Sequence, residues 1–344
     1  MFIRFLTFLG TTLALCLGGM PGEARASGDK LIIYTTRDSA ADVAVFKEFS
    51  KTTGMAVEIV SGKSGEIVKH LEGEGDAPKA DIVITVDGGV LDGLKQKGLL
   101  QPVTAQQVLD QVPASLRDKD NHWIGMTTRA RVIVYSKDRV QPGQLSTYED
   151  LADPRWKGKI VMRPGSALYN VSLTASLIEL DGEKAAEEWI KGVVGNFARQ
   201  PKGGDRGQAK DIAAGTGDVT LMNTYYIGRM LNGKDEEERK VAQNVGVFFP
   251  NQETTGAHIN ICGVAVTKNA AHRAGAEKFI AYLTDAPAQS RLSAGNFEYP
   301  VNPKAKKAGL LEEWGGFKAQ VIDFSVLNKN KALAKELLSG GGWE

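Results

Sequence analysis

The chain has 344 residues, with 42 Lys and Arg against 41 Asp and Glu. That balance, without any basic block, argues against a polyanionic partner such as nucleic acid. Two cysteines exclude a disulfide framework, and a chain this long can bury a large core without one.

Residues 1–26 read as a secretory signal peptide: "MFIR" with one Arg, the apolar run "FLTFLGTTLALCLGG", and small residues around a cut before Ser27. The run is too short and Gly-broken for a span, and bulky Leu15 argues against a lipid anchor at Cys16. The mature chain is therefore expected to be soluble and exported to the periplasm. It keeps 40 basic and 40 acidic residues and one cysteine, Cys262.

"DKLIIYTTR" (29–37) reads as a buried strand ending in polar residues. A helix follows through Val43, Phe46 and Phe49 and stops at Gly54. "MAVEIVSG" is the next strand, "GEIVKHLEGEGD" a helix, "ADIVITVDGG" (80–89) a third strand and "VLDGLKQKG" a helix. This alternation predicts a parallel sheet covered on both faces. After "HWIGMTTRARVIVYSKD" (122–138) the rhythm restarts: a strand at 159–162, helices in "NVSLTASLIELDG" and "AAEEWIKGVVGNF", and strand, turn and helix in "GDVTLMNTYYIGRML". "NVGVFFPN" and "INICGVAVTKNA" are β-rich, and 274–295 is helical. Two α/β halves with strands passing between them predict two lobes and a ligand cleft at the strand ends. Their bounds are 27–127 plus about 257–310 for lobe 1, and 128–256 plus C-terminal helices at about 311–344 for lobe 2.

Enzymatic chemistry has no support. "SGKSGE" has Val57 where a phosphate loop needs Gly. The four histidines (70, 122, 258, 272) are scattered, no Gly-x-Ser-x-Gly occurs, and Cys262 lies in an apolar strand as a buried thiol. One oddity remains: Tyr225 and Tyr226 are adjacent and cannot share one strand face or one helix stripe.

The stretches "LIIYTTRDSAAD", "ADIVITVD", "TTRARVIVYSK", "LSTYEDLADPRWKGKIVMRPGSALYNVSL", "NTYYIGRML", "NVGVFFPNQETTGAHINICGVAV" and "FEYPVNP" run over essentially the whole mature chain. Together they resemble the periplasmic ferric-iron-binding proteins of ABC importers, the bacterial transferrin-like group of type II periplasmic binding proteins. The resemblance implies a two-lobed fold, Fe3+ as cargo, an inner-membrane ABC permease as partner, and a monomer. It assigns metal-binding phenolates to Tyr169, Tyr225 and Tyr226, which spacing alone reads as ordinary aromatic packing. Close family members bring a His-Tyr pair from the loop after the first strand; this chain has Asp38 and Ser39 there.

Fe3+ favours anionic oxygen donors, and a trivalent ion converts a phenol of pKa near 10 to the phenolate. Three phenolates neutralise the ion but fill only three positions, so carbonate or another small synergistic anion is expected. Arg37 could hold it with its planar fork, helped by Thr36, Ser39 and N–H groups at a helix start; Asp38 on the metal is the lesser reading. The resemblance also marks Arg129 and Arg229 as arginines that bond the phenolates or balance charge. Asp87, ending the third strand, points toward the expected cleft. The rival reading keeps the scaffold and changes the ligand to Fe2+, another metal or an organic anion such as a phosphonate.

Overall fold

The computed structural model describes residues 30–37 and 39–344. The signal-peptide reading of 1–26 and the cleft carboxylate Asp38 lie outside the described residues. Among the described residues, no helix is long and apolar enough to cross a membrane.

The first third alternates as expected: β1 (Leu31–Thr35), α1 (Ala40–Thr53), β2 (Val57–Ser61), α2 (Ser64–Glu74), β3 (Ile82–Thr85), α3 (Gly88–Gln96), β4 (Leu100–Gln101) and α4 (Gln106–Gln111). Alternating side chains cover both sheet faces. Leu31, Ile33, Ile82 and Ile84 pack with Phe46, Phe49 and Phe279, whereas Tyr34 and Val83 join Ile67, Leu71, Leu91 and Leu94. Ser39 caps α1 by accepting from the Asp42 N–H, and Gly54 ends it in the left-handed conformation at φ 74°.

The long β5 (Ile124–Ser136) joins the two lobes. Its first half, through Ala130, pairs with β8 (Ile259–Thr267); from Arg131 onward it pairs with β6 (Val219–Asn223) and β7 (Val245–Phe248). The sheet order is β2-β1-β3-β8-β5-β6, parallel among β2, β1 and β3 and antiparallel across β8 and β5. A register shift between Gly125 and Thr127 marks a bulge beside the site described below.

After β5 come α5 (Leu168–Asp181), α6 (Glu183–Gly195), α7 (Asp205–Ala213), α8 (Thr224–Leu231) and α9 (Glu236–Asn244). The chain then returns through α10 (Arg273–Leu283), α11 (Ala286–Asn296), β9 (Tyr299–Pro300) and α12 (Gly309–Glu313). Two last helices, α13 (Ser325–Lys329) and α14 (Lys331–Gly340), close the fold; α13 packs on both α3 and α5.

One local expectation fails, and another is borne out with a break. The strand predicted at 159–162 is absent: Ile160 makes only single bridges, to Phe197 and Val219. The helical stretch 274–295 is two helices, because Asp285 caps a new one with Pro at its start.

Candidate functional site

Three helices begin at one spot. Tyr169 is the second residue of α5, Tyr225 and Tyr226 are the second and third of α8, and Thr36 and Ser39 precede α1. Helix N-termini carry partial positive charge, which favours anionic oxygen in their first turns. The loop before α5 is set by the C-terminus: Trp343 Nε1 donates to the Arg163 carbonyl at 2.9 Å, and Gly165 N donates to the Trp343 carbonyl at 3.1 Å. A side chain on Gly165 would collide with Trp343. Asn170 Nδ2 also donates to the Arg163 and Pro164 carbonyls, fixing the turn that aims Tyr169.

A cavity of about 170 Å3 lies between the lobes, lined by Tyr169, Tyr225, Tyr226 and Arg229 from one side and Thr36, Arg37, Ser39, Asp42 and Glu298 from the other. Tyr225 Oη donates to Tyr169 Oη at 2.9 Å. The Tyr225 and Tyr226 rings lie with centroids 4.4 Å apart, 38° from parallel. The adjacency that looked incompatible with a shared stripe is resolved in the first turn of α8, where both rings lean into one opening. None of the other five tyrosines lines this cavity.

Guanidinium groups surround the phenols. Arg163, Arg129 and Arg131 stand 5.3, 5.5 and 6.0 Å from the centre of the Tyr169 ring, and Arg229 stands 4.9 Å from that of Tyr225. Asp205 pairs with both Arg131 and Arg163. Arg129, 2% exposed, donates to the Val86 carbonyl and the Cys262 thiol and has no carboxylate partner among the described residues. Burial pushes the Tyr169 phenol up to about 12, the nearby Tyr226 adds to this, and Arg129 opposes it. Burial and the neighbouring tyrosines push Tyr225 well above its ordinary value. Without a metal both phenols therefore hold their protons at neutral pH.

Arg37 departs from expectation. Nε and Nη2 donate to Asp42 Oδ1 at 3.2 and 2.8 Å, Nη1 and Nη2 donate to Glu298 at 3.1 and 2.8 Å, and Nη1 reaches Thr127 Oγ1 at 3.4 Å. All five N–H groups are thereby used, so the fork has none left for an anion. Burial alone would raise the Asp42 carboxyl, but the charge and hydrogen bonds of Arg37, with that of Ser39, hold it below its ordinary value. Arg229 is freer: Nη2 donates to Asn296 Oδ1 at 3.1 Å, and its other N–H groups have no partner among the described residues. Thr36 Oγ1 is buried and likewise unpartnered.

Asp87 lies behind this wall. Its Oδ1 caps α3 by accepting from Val90 N, and Oδ2 accepts from Ser172 and Asn260 at 2.6 and 2.7 Å. Asp42, Glu298 and Arg163 escaped the sequence reading; Asp42 and Glu298 carried no local signal, and Arg163 stood in the quoted "RPGS" loop. Cys262 is buried, and burial pushes its thiol up. Asp118, Asp120 and His122 also cluster, but the Lys95 ammonium already bonds both carboxylates at 2.8 Å.

Residues 77–330 match the family model for bacterial extracellular solute-binding proteins. Iron uptake proteins A1 and A2 of Synechocystis sp. are 41% and 40% identical, over 94% and 97% of this chain and 89% and 96% of their own lengths. A Trichodesmium IdiA (FutA) structure in complex with iron and citrate matches with a TM-score of 0.88 at 44% identity, covering 92% of this chain and 100% of that one. The ferric binding protein of Campylobacter jejuni matches with a TM-score of 0.87 at 39% identity, over 91% and 100%. The chain belongs to the bacterial extracellular solute-binding protein family, among its periplasmic ferric-iron-binding members.

Proposed function

We propose that the protein captures Fe3+ through the phenolates of Tyr169, Tyr225 and Tyr226 and delivers it to an inner-membrane ABC permease. The observation that carries this is the meeting of three phenols at helix N-termini in one interlobe cavity, two of their oxygens 2.9 Å apart. Binding replaces three protons by one trivalent ion, and Arg129, Arg163 and Arg229 offset the phenolate charge. A small carboxylate or carbonate anion completes the coordination. Arg229, Thr36 and the start of α1 at Ser39 are the groups with capacity to hold it, which moves this role away from Arg37. Citrate in the Trichodesmium complex supports an anion of the carboxylate class.

The working chain is a periplasmic monomer released from its signal peptide at residue 26. Lobe 1 comprises 27–127 and about 257–310, lobe 2 comprises 128–256 and about 311–344, and closure between them excludes water from the metal. Addition of Fe3+ and bicarbonate to the purified protein should give a visible tyrosinate-to-iron charge-transfer band, and Tyr225→Phe should abolish it. A colourless protein that is stabilised by a small organic anion and ignores Fe3+ would refute the reading.

A further inference from the structure

We infer that the turn Asn296–Phe297–Glu298 is the latch of the closed cleft and that Gly228 is its socket, an assignment that rests on the ferric-binding function proposed above. The three residues sit at the end of α11 in the first lobe, and each does something different. Asn296, fully buried, accepts from Arg229 of the opposite lobe at 3.1 Å and donates to Asp42 Oδ1 at 3.0 Å. Glu298 lines the cavity and takes the Arg37 fork together with Thr127 Oγ1 at 2.8 Å. Phe297 between them is left-handed, with φ 57° and ψ 39°, a conformation that a bulky L residue adopts only where its surroundings impose it.

Phe297 is the C-cap of α11, its N–H bonded to the Ser293 carbonyl, and its side chain packs on α8. The Phe297 side chain lies directly on Gly228, two residues after Tyr226: a β-carbon built there would lie 2.5 Å from Cγ of Phe297 and closer still to its Cβ. No side chain larger than hydrogen fits while the lobes are together. Gly is an unfavourable choice for a helix interior, and Gly228 is buried against Phe297, so close approach is the physical reason for it. The helix that presents two phenols to the metal is thus the helix whose next residues, Gly228 and Arg229, engage the first lobe. Drawing Tyr225 and Tyr226 onto the ion seats Gly228 on Phe297 and Arg229 on Asn296. The same turn then fixes Asp42 and Glu298 at the opposite wall. Metal occupancy and lobe closure are coupled through one three-residue segment.

The test uses the mature chain as Gly228→Ala, Phe297→Gly and the double variant, with small-angle scattering with and without ferric iron and bicarbonate, and competitive titration of the charge-transfer band. Ala favours the helix and Gly favours the left-handed turn, so both single variants should fold, and circular dichroism checks this. Gly228→Ala is expected to stay extended when iron is added and to bind it at least about tenfold more weakly, because the competent closed state is depopulated. The double variant should recover compaction and come within about threefold of Phe297→Gly alone, since the added methyl then meets vacant space. A Gly228→Ala protein that compacts and binds like wild type overturns the latch, as does a double variant without recovery. A Gly228→Ala chain that fails to fold also overturns it, because the contact would then belong to the fold and not to closure. If the wild type takes up no iron, the proposed function falls. The latch is then read from the ligand-free proteins, where Gly228→Ala must be the more extended and the double variant must return to wild-type dimensions.

Discussion

Arg37→Gln separates a ligand-binding arginine from one that holds the wall of the site. Arg37 is 5% exposed, and its two carboxylate partners, Asp42 and Glu298, are 1% and 2% exposed. Replacing the guanidinium leaves two buried carboxylates without their shared cation, and breaking a buried pair in this way costs about 3–5 kcal/mol. The sign of the pH dependence follows from Asp42. Its folded-state carboxyl lies below 3.8, so the pair's contribution is fully present above about pH 4 and is lost as pH falls through the folded value. The stability gap between wild type and Arg37→Gln should therefore be full at pH 7.5 and narrow below pH 4. Urea unfolding of the ligand-free proteins, followed by far-UV circular dichroism, measures it. A variant within about 0.5 kcal/mol of wild type at pH 7.5 would refute the buried-wall reasoning and return Arg37 to the anion.

Three further outcomes follow from the same geometry. Because burial pushes Tyr169 up to about 12 and Tyr225 well above its ordinary value, iron uptake near neutral pH should release at least two protons, and affinity should rise by about a hundredfold or more per pH unit; release of fewer than two protons per iron, read by pH-stat titration, refutes phenolate binding. Burial pushes His258 down to about 4, so below pH 6.5 the unfolded chain takes up a proton that the folded chain refuses; stability should fall by roughly 3 kcal/mol between pH 6.5 and 4, and His258→Gln should flatten that slope in urea titrations. Trp343→Ala removes a 2% exposed side chain packed on Trp189 and Phe197 and should cost about 3 kcal/mol in thermal or urea unfolding, while weakening iron binding through the loosened loop before Tyr169.

The parts of this molecule that were legible in its sequence are those specified locally. Period-two and period-3.6 patterns located β1, α1, β2, α2, β3 and α3, and Gly54 ended α1 where it should. The segment at 159–162 misled because its apolar residues are buried without a ladder, and burial alone does not distinguish a strand from a packed loop. The three tyrosines were singled out by the resemblance and not by local pattern, which reads them as ordinary aromatic packing; the structure adds how they are aimed. Tyr225 and Tyr226 are neighbours at a strand-to-helix junction, and Tyr169 starts a helix, so each is aimed by its own first turn.

The arginines were not legible, because the role of an arginine is set by its partner. Arg37 meets Asp42 five residues on but Glu298 261 residues away, Arg131 meets Asp205 74 away, and Arg229 meets Asn296 67 away. No local pattern encodes those distances, so Arg37 with five donors engaged and Arg229 with most of them free look alike in sequence. The fold sorts them by what the end of α11 brings to the cavity: Glu298 occupies the Arg37 fork, whereas Asn296 takes a single N–H of Arg229. Which guanidinium keeps donors free toward the cavity is accordingly decided by α11, a helix that supplies none of the three tyrosines.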